Sequence, residues 1–331
     1  MRHANISIFV PHVGCRHRCS FCDQNAITGV HSLPSAYDVE EAVARAGTIG
    51  PDTEIAFFGG SFTAIDRDYM LTLLSAAYGY VKNGTVRGIR VSTRPDAIDE
   101  EVLSILKAHG VTAVELGAQS MDDAVLAANR RGHTAADVEN ASFLIAQEGF
   151  ELGLQMMTGL YMSDDERDIY TAESLCRLSP ATVRIYPTIV FKNTYLGALF
   201  SDGKYRPQTL QNAVSLCVRL IDIFEKRGIR VIRTGLHTID KENYLGGPWH
   251  PAFRELCDNA RCYDRAIEEI MRSGGRHGKY TIYTAVGHMS KMTGQRRANI
   301  LKLKDKGYDC RVEESDRLSG GDIEVLFLGR A

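Results

Sequence analysis

The feature that most constrains this sequence is a set of three cysteines near its amino terminus, Cys15, Cys19 and Cys22, spaced C-x3-C-x2-C. Three thiolates on one short loop match three irons of a four-iron, four-sulfur cluster, whereas a cluster held only by protein uses four cysteines. The spacing therefore predicts a cluster with one open iron, which suits chemistry more than storage. The alternatives are a structural zinc loop or three free thiols, but zinc sites usually add a distant Cys or His pair, and no C-x2-C pair follows the loop.

The composition is that of an ordinary globular protein with a large core. The chain has 331 residues, of which 44% are hydrophobic and 24% charged, and its net charge of −2 gives no overall basic field for nucleic acid. Eight cysteines, three of them clustered, indicate metal ligation in a reducing compartment. We find no long apolar run and no signal peptide, so we expect a cytoplasmic protein without a membrane segment.

Strand-like and helix-like segments alternate along most of the chain. The predicted strands are Ile6–Val10, Glu54–Phe58, Gly88–Thr93, Val114–Gly117, Leu152–Met157 and Val183–Tyr186. The predicted helices start at cap Ser35, span Arg67–Tyr80, run from cap Asp99 to Gly110 and from Thr134 to Glu148, and follow a Ser163–Glu166 capping box. Six such units imply parallel strands with right-handed crossovers, hence a barrel, a partial barrel or an open doubly wound sheet.

The second predicted strand runs directly into Gly59 and Gly60. Paired glycines let a backbone turn sharply and approach a ligand closely. Most such pairs are only turns. The position of this pair, after a strand and downstream of the cysteine loop, favours a ligand-binding turn.

These motifs together resemble the radical S-adenosylmethionine (SAM) superfamily, whose signature is the same cysteine spacing with an aromatic residue, here Phe21, before the last cysteine. Further segments narrow the resemblance to the radical domain of the Elongator catalytic subunit and its bacterial relatives. These segments are 58–64, Ser92–Asp96, Val114–Ser120, Asn129–Thr134, Ile185–Thr188 and Gly247–Pro251. The resemblance implies a partial (β/α)6 barrel of parallel strands, a 4Fe-4S cluster, S-adenosyl-L-methionine as cofactor and modification of wobble uridine in tRNA.

The same resemblance implies roles for individual residues. Cys15, Cys19 and Cys22 would bind the cluster, and Arg94 would pair with the methionine carboxylate. The remaining cofactor-binding positions are Gly59, Gly60 and Ser61 at the methionine amino group, Ser92 near the ribose, and Gln119, Arg131 and Gln155 around the cofactor. Two of these depart from the relatives, because Ser92 replaces a frequent glutamate and Gln155 an aspartate. Purely structural roles stay open for them, and no residue is assigned to catalysis.

The predicted domains are a radical SAM barrel over 1–260, with its cluster loop at 11–31, and a small α/β extension over 261–331. The extension is predicted as strand Tyr280–Val286, helix Lys291–Lys306 and strand Ile323–Leu328. The helix is basic, which indicates either contact with RNA phosphates or a solvated face. Only about seventy residues follow the matched part, so we expect no acetyltransferase domain. A second metal on Cys257, Cys262 or Cys310 stays open, as does a substrate-facing role for Lys192.

Three functional hypotheses follow. The first is a radical SAM enzyme that acts on tRNA and takes electrons from a donor of the flavodoxin or ferredoxin type. The second keeps the radical chemistry but acts on a small molecule or cofactor precursor. The third is an iron–sulfur electron-transfer or regulatory protein without catalysis.

Overall fold

The structure is a computed structural model that describes residues 4–11, 15, 18–23, 32–236 and 238–330. Much of the predicted cluster loop at 11–31 lies outside the described residues, but its three cysteines lie within them. The chain forms two compact units: Met1–Ala213 with Leu220–Trp249, and Val214–Arg219 with His250–Ala331. Residue 260, where the sequence analysis places the domain boundary, lies inside the helix Phe253–Arg272.

The larger unit is built on a curled sheet that has, over the described residues, seven parallel strands. In their order across the sheet they are β1 (Ala4–Val10), β2 (Thr53–Gly59), β3 (Gly88–Thr93), β4 (Val111–Gln119), β5 (Glu151–Thr158), β6 (Thr182–Pro187) and β8 (Arg230–Thr234). The short strands β7 (Val190–Phe191) and β9 (Tyr244–Gly246) pair with each other. This arrangement confirms the predicted partial barrel. The sequence analysis missed β8, because its exposed positions Arg230 and Ile232 face solvent at the sheet edge and give no buried run.

Helices connect successive strands and cover the sheet. They are α1 (Ala36–Arg45), α2 (Arg67–Lys82), α3 (Glu100–Ala108), α4 (Asp123–Ala128), α5 (Ala135–Gln147), α6 (Asp165–Arg177), α7 (Tyr195–Ser201) and α8 (Leu210–Glu225). The predicted Ser163–Glu166 capping box is wrong. Asp164 caps α6 by accepting from the Arg167 backbone, and the Ser163 hydroxyl instead donates to Asp168 Oδ1 at 2.7 Å. None of the helices in the described ranges is long and apolar enough to cross a membrane.

The smaller unit packs helices against a three-stranded sheet. Its elements are α9 (Phe253–Arg272), β10 (Gly278–Ala285), α10 (Met289–Thr293), α11 (Ala298–Asp305), β11 (Tyr308–Ser315) and β12 (Ile323–Gly329), with sheet order β11-β10-β12. The predicted single helix Lys291–Lys306 is wrong, because Arg296 and Arg297 have positive φ values of 52° and 63° and separate α10 from α11. The Asn299 amide fixes this break by donating to Met292 O at 3.0 Å.

A buried ion-pair network ties three strands together at the amino-terminal end of the barrel. Arg90 on β3 is 1% exposed; its Nε donates to Glu54 Oε2 on β2 at 2.9 Å. Its Nη2 donates to Glu151 Oε1 on β5 at 2.8 Å. Both carboxylates lie at the starts of their strands. They are therefore at the end of the barrel opposite the carboxyl ends of the strands. This network therefore has a structural role.

We expect Arg90→Met to lower the free energy of unfolding by about 3–5 kcal/mol, because it leaves two carboxylates buried without their cation. Urea denaturation measures this loss. The matched control is Arg87→Met, whose guanidinium is 44% exposed and 3.9 Å from Glu151, and which should cost less than about 1 kcal/mol. Equal losses in the two variants would contradict a dominant role for the buried network.

Candidate active site

A cavity of about 1010 Å³ opens at the carboxyl ends of the parallel strands in the larger unit. Gly59, Thr93 and Gln119, which end β2, β3 and β4, line it. Barrel enzymes place their active sites at this end of the strands, because the loops there are free to vary. Of the predicted site residues, all except Ser61 line this one cavity.

Cys15, Cys19 and Cys22 lie in the cavity wall and are each partly exposed. In the described part of the chain, no three His, Cys, Asp or Glu side chains converge closely enough to hold a single metal ion. A four-iron cluster distributes its thiolates over separate irons, so its cysteines need a shared cavity and not a single point of convergence. The shared cavity is therefore compatible with a multi-iron cluster on these cysteines.

Ser20 anchors the cysteine loop through hydrogen bonds with Asn129 and Leu196. Its hydroxyl donates to Asn129 Oδ1 at 2.7 Å, and its backbone N–H donates to Asn129 O at 3.0 Å. Asn129 is fully buried, and its amide donates to Tyr161 O at 2.8 Å. The Leu196 N–H donates to Ser20 O at 2.7 Å. These contacts, which sequence reasoning missed, fix the backbone between Cys19 and Cys22; the only available signal was the place of Asn129 in a family-like segment.

Arg131 connects the cysteine loop to the barrel. Its Nη1 donates to Cys19 Sγ at 3.0 Å and its Nη2 donates to Gly117 O at 2.6 Å. Burial raises the pKa of the Cys15 thiol, and it raises that of Cys22 to about 12, while Arg131 acts in the opposite direction on both. A guanidinium at this position favours thiolates, the form in which cysteine binds metals.

The glycine pair closes a turn against the end of β1. Gly59 has φ +114°, and a Cβ there would lie 2.8 Å from Val10 O. The Gly60 N–H donates to the same oxygen at 2.8 Å. Ser61 points away from the cavity: its hydroxyl lies 2.9 Å from Thr93 Oγ1 and accepts from the Arg94 N–H at 3.2 Å. The turn thus offers backbone, and not the serine hydroxyl, to the cavity.

The sequence left open whether Arg94 has a structural role or faces the cavity. In the structure it does both. Its Nε and Nη2 donate to the Asp96 carboxylate at 2.8 and 3.1 Å, and Nη2 also donates to Arg131 O at 2.5 Å. Its Nη1 is buried and has no hydrogen-bond partner within the described residues. The Nη1 amino group of this guanidinium is therefore a buried donor without a partner in the described part of the chain, on a residue that lines the cavity.

Polar side chains of the four strands β3 to β6 face the cavity. The Gln155 amide donates to Gln119 Oε1 at 3.4 Å, and Ser92 Oγ lies 3.5 Å from Glu115 Oε1, which are both weak contacts. Glu115 Oε2 accepts from Arg184 Nε at 2.8 Å. Sequence reasoning missed this ion pair, although Glu115 lies within a family-like segment.

The other residues left open by the sequence lie outside this cavity. Lys192 is exposed and is not among the lining residues. Cys262 and Cys310 lie in the hydrophobic core of the smaller unit, and Cys257 is fully buried. Within the described ranges, none of these three cysteines belongs to a group of three or more His, Cys, Asp or Glu side chains that could hold a metal ion.

We expect Gly59→Ala to weaken binding of SAM, the ligand implied by the resemblance, at least about tenfold, because a Cβ forces the turn away from Val10. Equilibrium dialysis of the cluster-loaded protein measures the affinity. The control is Gly79→Ala in α2, where a Cβ meets nothing within 4 Å and should stabilise the helix by about 0.5–1 kcal/mol. Wild-type SAM affinity in Gly59→Ala would contradict the assignment.

A buried histidine beside the site should make stability depend on pH. Burial, with the charge of Arg131, lowers the pKa of His133 to about 4, below its unfolded value of about 6.5. The unfolded chain therefore binds the proton first, and the unfolding free energy should fall by up to about 3 kcal/mol as pH falls from 6.5 to 4. Urea titrations at both pH values should show this loss in wild type and in the exposed-histidine control His277→Gln. An undiminished loss in His133→Gln would refute the assignment.

Known proteins are similar to this chain in sequence and in fold. The curated relatives that match include a tRNA uridine(34) acetyltransferase of Dehalococcoides mccartyi, 25% identical in an alignment of 240 residues that covers 61% of this chain and 52% of the relative. Human Elongator complex protein 3 is 29% identical in an alignment of 188 residues that covers 51% of this chain and 34% of that protein. The chain therefore spans about half or less of these relatives.

Among solved structures, the archaeal Elp3 of Methanocaldococcus infernus, with residues 1–46 deleted, aligns with a TM-score of 0.63 at 20% identity, covering 82% of this chain and 63% of that one. This similarity supports the fold. The family model described as Radical SAM superfamily matches residues 9–172, and the model described as Radical_SAM C-terminal domain matches residues 180–261. The two models cover most of the chain, and the chain belongs to the radical SAM superfamily of enzymes.

Proposed function

We propose that this enzyme holds a 4Fe-4S cluster on Cys15, Cys19 and Cys22, cleaves S-adenosylmethionine reductively and acts on tRNA. The observation that carries the proposal is the meeting of the three cysteines, the Gly59–Gly60 turn and Arg131 in one cavity. When bound, the cluster and SAM supply an electron and a 5'-deoxyadenosyl radical that removes hydrogen from the substrate.

The residues around the cysteines fit an iron–sulfur cluster. The Arg131 guanidinium already donates to Cys19 Sγ, and its buried Nε has no partner within the described part of the chain. Sulfurs of a cluster accept such N–H groups, and hydrogen bonds of this kind tune its reduction potential. Ser20, through its hydrogen bonds with Asn129, holds the backbone between Cys19 and Cys22 beside this arginine.

The neighbouring wall fits the zwitterionic methionine part of SAM. Gly59 and Gly60 bring backbone to the cavity surface, and the unpartnered Nη1 of Arg94 suits a carboxylate. Ser92, Gln119 and Gln155 offer neutral hydrogen-bonding groups further along the strand ends, which suits the ribose and adenine. In this proposal Ser61 supports the turn through Thr93 and Arg94.

The apolar side of the cavity protects the reaction. Phe9, Phe58, Met157, Ile189 and Phe191 contribute to the lining. Such walls exclude water from a reactive intermediate, so that it meets the bound substrate and not solvent. The protein's own work is thus to bind, orient and exclude, while the cofactors supply the difficult chemistry.

The tRNA part of the proposal rests on the relatives, whose names include a tRNA uridine(34) acetyltransferase, together with the cationic lining of the cavity. Arg130 illustrates this lining at the cavity wall, with its guanidinium stacked 3.4 Å from the centre of the Tyr195 ring. A cation on an aromatic face is a common way to receive nucleotides. We expect a flavodoxin- or ferredoxin-type electron donor.

The test is formation of 5'-deoxyadenosine by the anaerobically reconstituted, reduced protein, with and without total tRNA. We expect product with wild type, and at least a hundredfold less with Cys19→Ala, which loses one of three cluster ligands. Cys310→Ala, a buried cysteine in the core of the smaller unit, is the matched control and should keep its iron and its product.

Stimulation by tRNA would support an RNA substrate. Product formation that is indifferent to tRNA would keep the radical chemistry and favour a small molecule or cofactor precursor. Wild-type protein that binds the cluster but forms no product would overturn the proposed reaction and favour an electron-transfer or regulatory protein.

A further inference from the structure

Two arginines lie side by side on the wall of the cavity formed by β6 and β8. Arg184 and Arg233 are direct register partners across these strands, and both line the cavity. Strand β8 is the sheet edge opposite β1, after which the cysteine loop follows. This pair therefore lies across the barrel from the cysteines and the glycine turn.

Arg184 is held in place by its neighbours. Its Nε donates to Glu115 Oε2 at 2.8 Å, and its guanidinium lies 4.8 Å from the centre of the Phe58 ring. Glu115 reaches Arg184 from β4 across β5, and Gly153 makes this crossing possible, because a Cβ there would lie 3.2 Å from Glu115 Cγ. Glu115 thus neutralises one arginine of the pair and leaves it rigid.

The side chain of Arg233 is different, because it has no hydrogen bond or ion pair with any residue in the described ranges, whereas its backbone pairs with β6. It is half-buried, and a partly desolvated charge without a counterion is costly. The described cavity lining holds only two carboxylates, Asp23 and Glu115, and both already have contacts. The same described lining holds six arginines, which are Arg18, Arg94, Arg130, Arg131, Arg184 and Arg233.

We propose that Arg233, supported by Arg184, forms an anion-binding subsite that receives a single oxyanion of the substrate, either a phosphate or a carboxylate. The inference rests on the proposed function in taking this cavity as the active site and, for the choice of uridine probes, in taking a nucleotide as the substrate. A planar guanidinium binds either oxyanion through two parallel N–H groups. The subsite orients the substrate across the cavity from the cysteines, so that its reacting carbon faces the cofactor side.

The test compares two probes, uridine 5'-monophosphate and uridine, by equilibrium dialysis against the cluster-loaded full chain saturated with SAM. We expect wild type to bind the nucleotide at least about tenfold more tightly than the nucleoside, since a charge-assisted hydrogen bond gives such a factor. Arg233→Gln should reduce this ratio to below about twofold. The matched control is Arg230→Gln, on the same strand, with a side chain that is 62% exposed and outside the cavity lining.

Competition by inorganic phosphate and by malonate identifies the oxyanion, and preferential displacement by either one supports the subsite. A ratio that persists in Arg233→Gln, an equal loss in Arg230→Gln, or no preference in wild type would overturn it. Formation of 5'-deoxyadenosine is measured on the same preparations. Failure of the proposed function appears there as absent product, whereas failure of the subsite appears as an unchanged binding ratio in protein that still forms product.

Discussion

The close approach of the glycine turn to the end of β1 is the contact on which the site depends. Because β1 and β2 are parallel neighbours, their carboxyl ends deliver the cysteine loop and the glycine turn to the same edge of the sheet. Gly60 bonds to Val10 O, and the positive φ of Gly59 leaves no room for a side chain there. These two adjacent strands therefore bring the cysteine loop and the glycine turn to one wall of the cavity.

Arginines organise the rest of the cavity, each with different partners. Arg131 donates to Cys19 Sγ and to a backbone carbonyl of β4, and Arg94 in turn donates to the backbone carbonyl of Arg131. Arg184 is neutralised by Glu115, whereas the side chain of Arg233 is left unpaired among the described residues. The arginines that have partners form a fixed part of the cavity wall, and Arg233 is the position at which we propose that the substrate oxyanion binds. At the other end of the barrel, the buried Arg90 network also holds neighbouring elements in place through ion pairs, but it does not line the cavity.

Much of this arrangement could be predicted from the sequence, for identifiable reasons. Six strands were recognisable because buried parallel strands read as continuous apolar runs, and the cysteine spacing and paired glycines are local motifs. The edge strand Arg230–Thr234 lacks such a run, and the break at Arg296–Arg297 uses two non-glycine residues with positive φ that no helix propensity reveals. The Glu115–Arg184 and Ser20–Asn129 contacts join residues 69 and 109 positions apart, so only the fold brings them together.

The central claim is that the three cysteines hold a cluster whose open iron faces a bound SAM molecule in this cavity. Low-temperature electron paramagnetic resonance of the reduced, reconstituted protein tests it most directly, with spectra recorded before and after addition of SAM. The account predicts the signal of a reduced four-iron cluster that changes when SAM is added, and a much smaller change in Gly59→Ala at a SAM concentration near the wild-type dissociation constant. A cluster signal in wild type that SAM does not alter would contradict it.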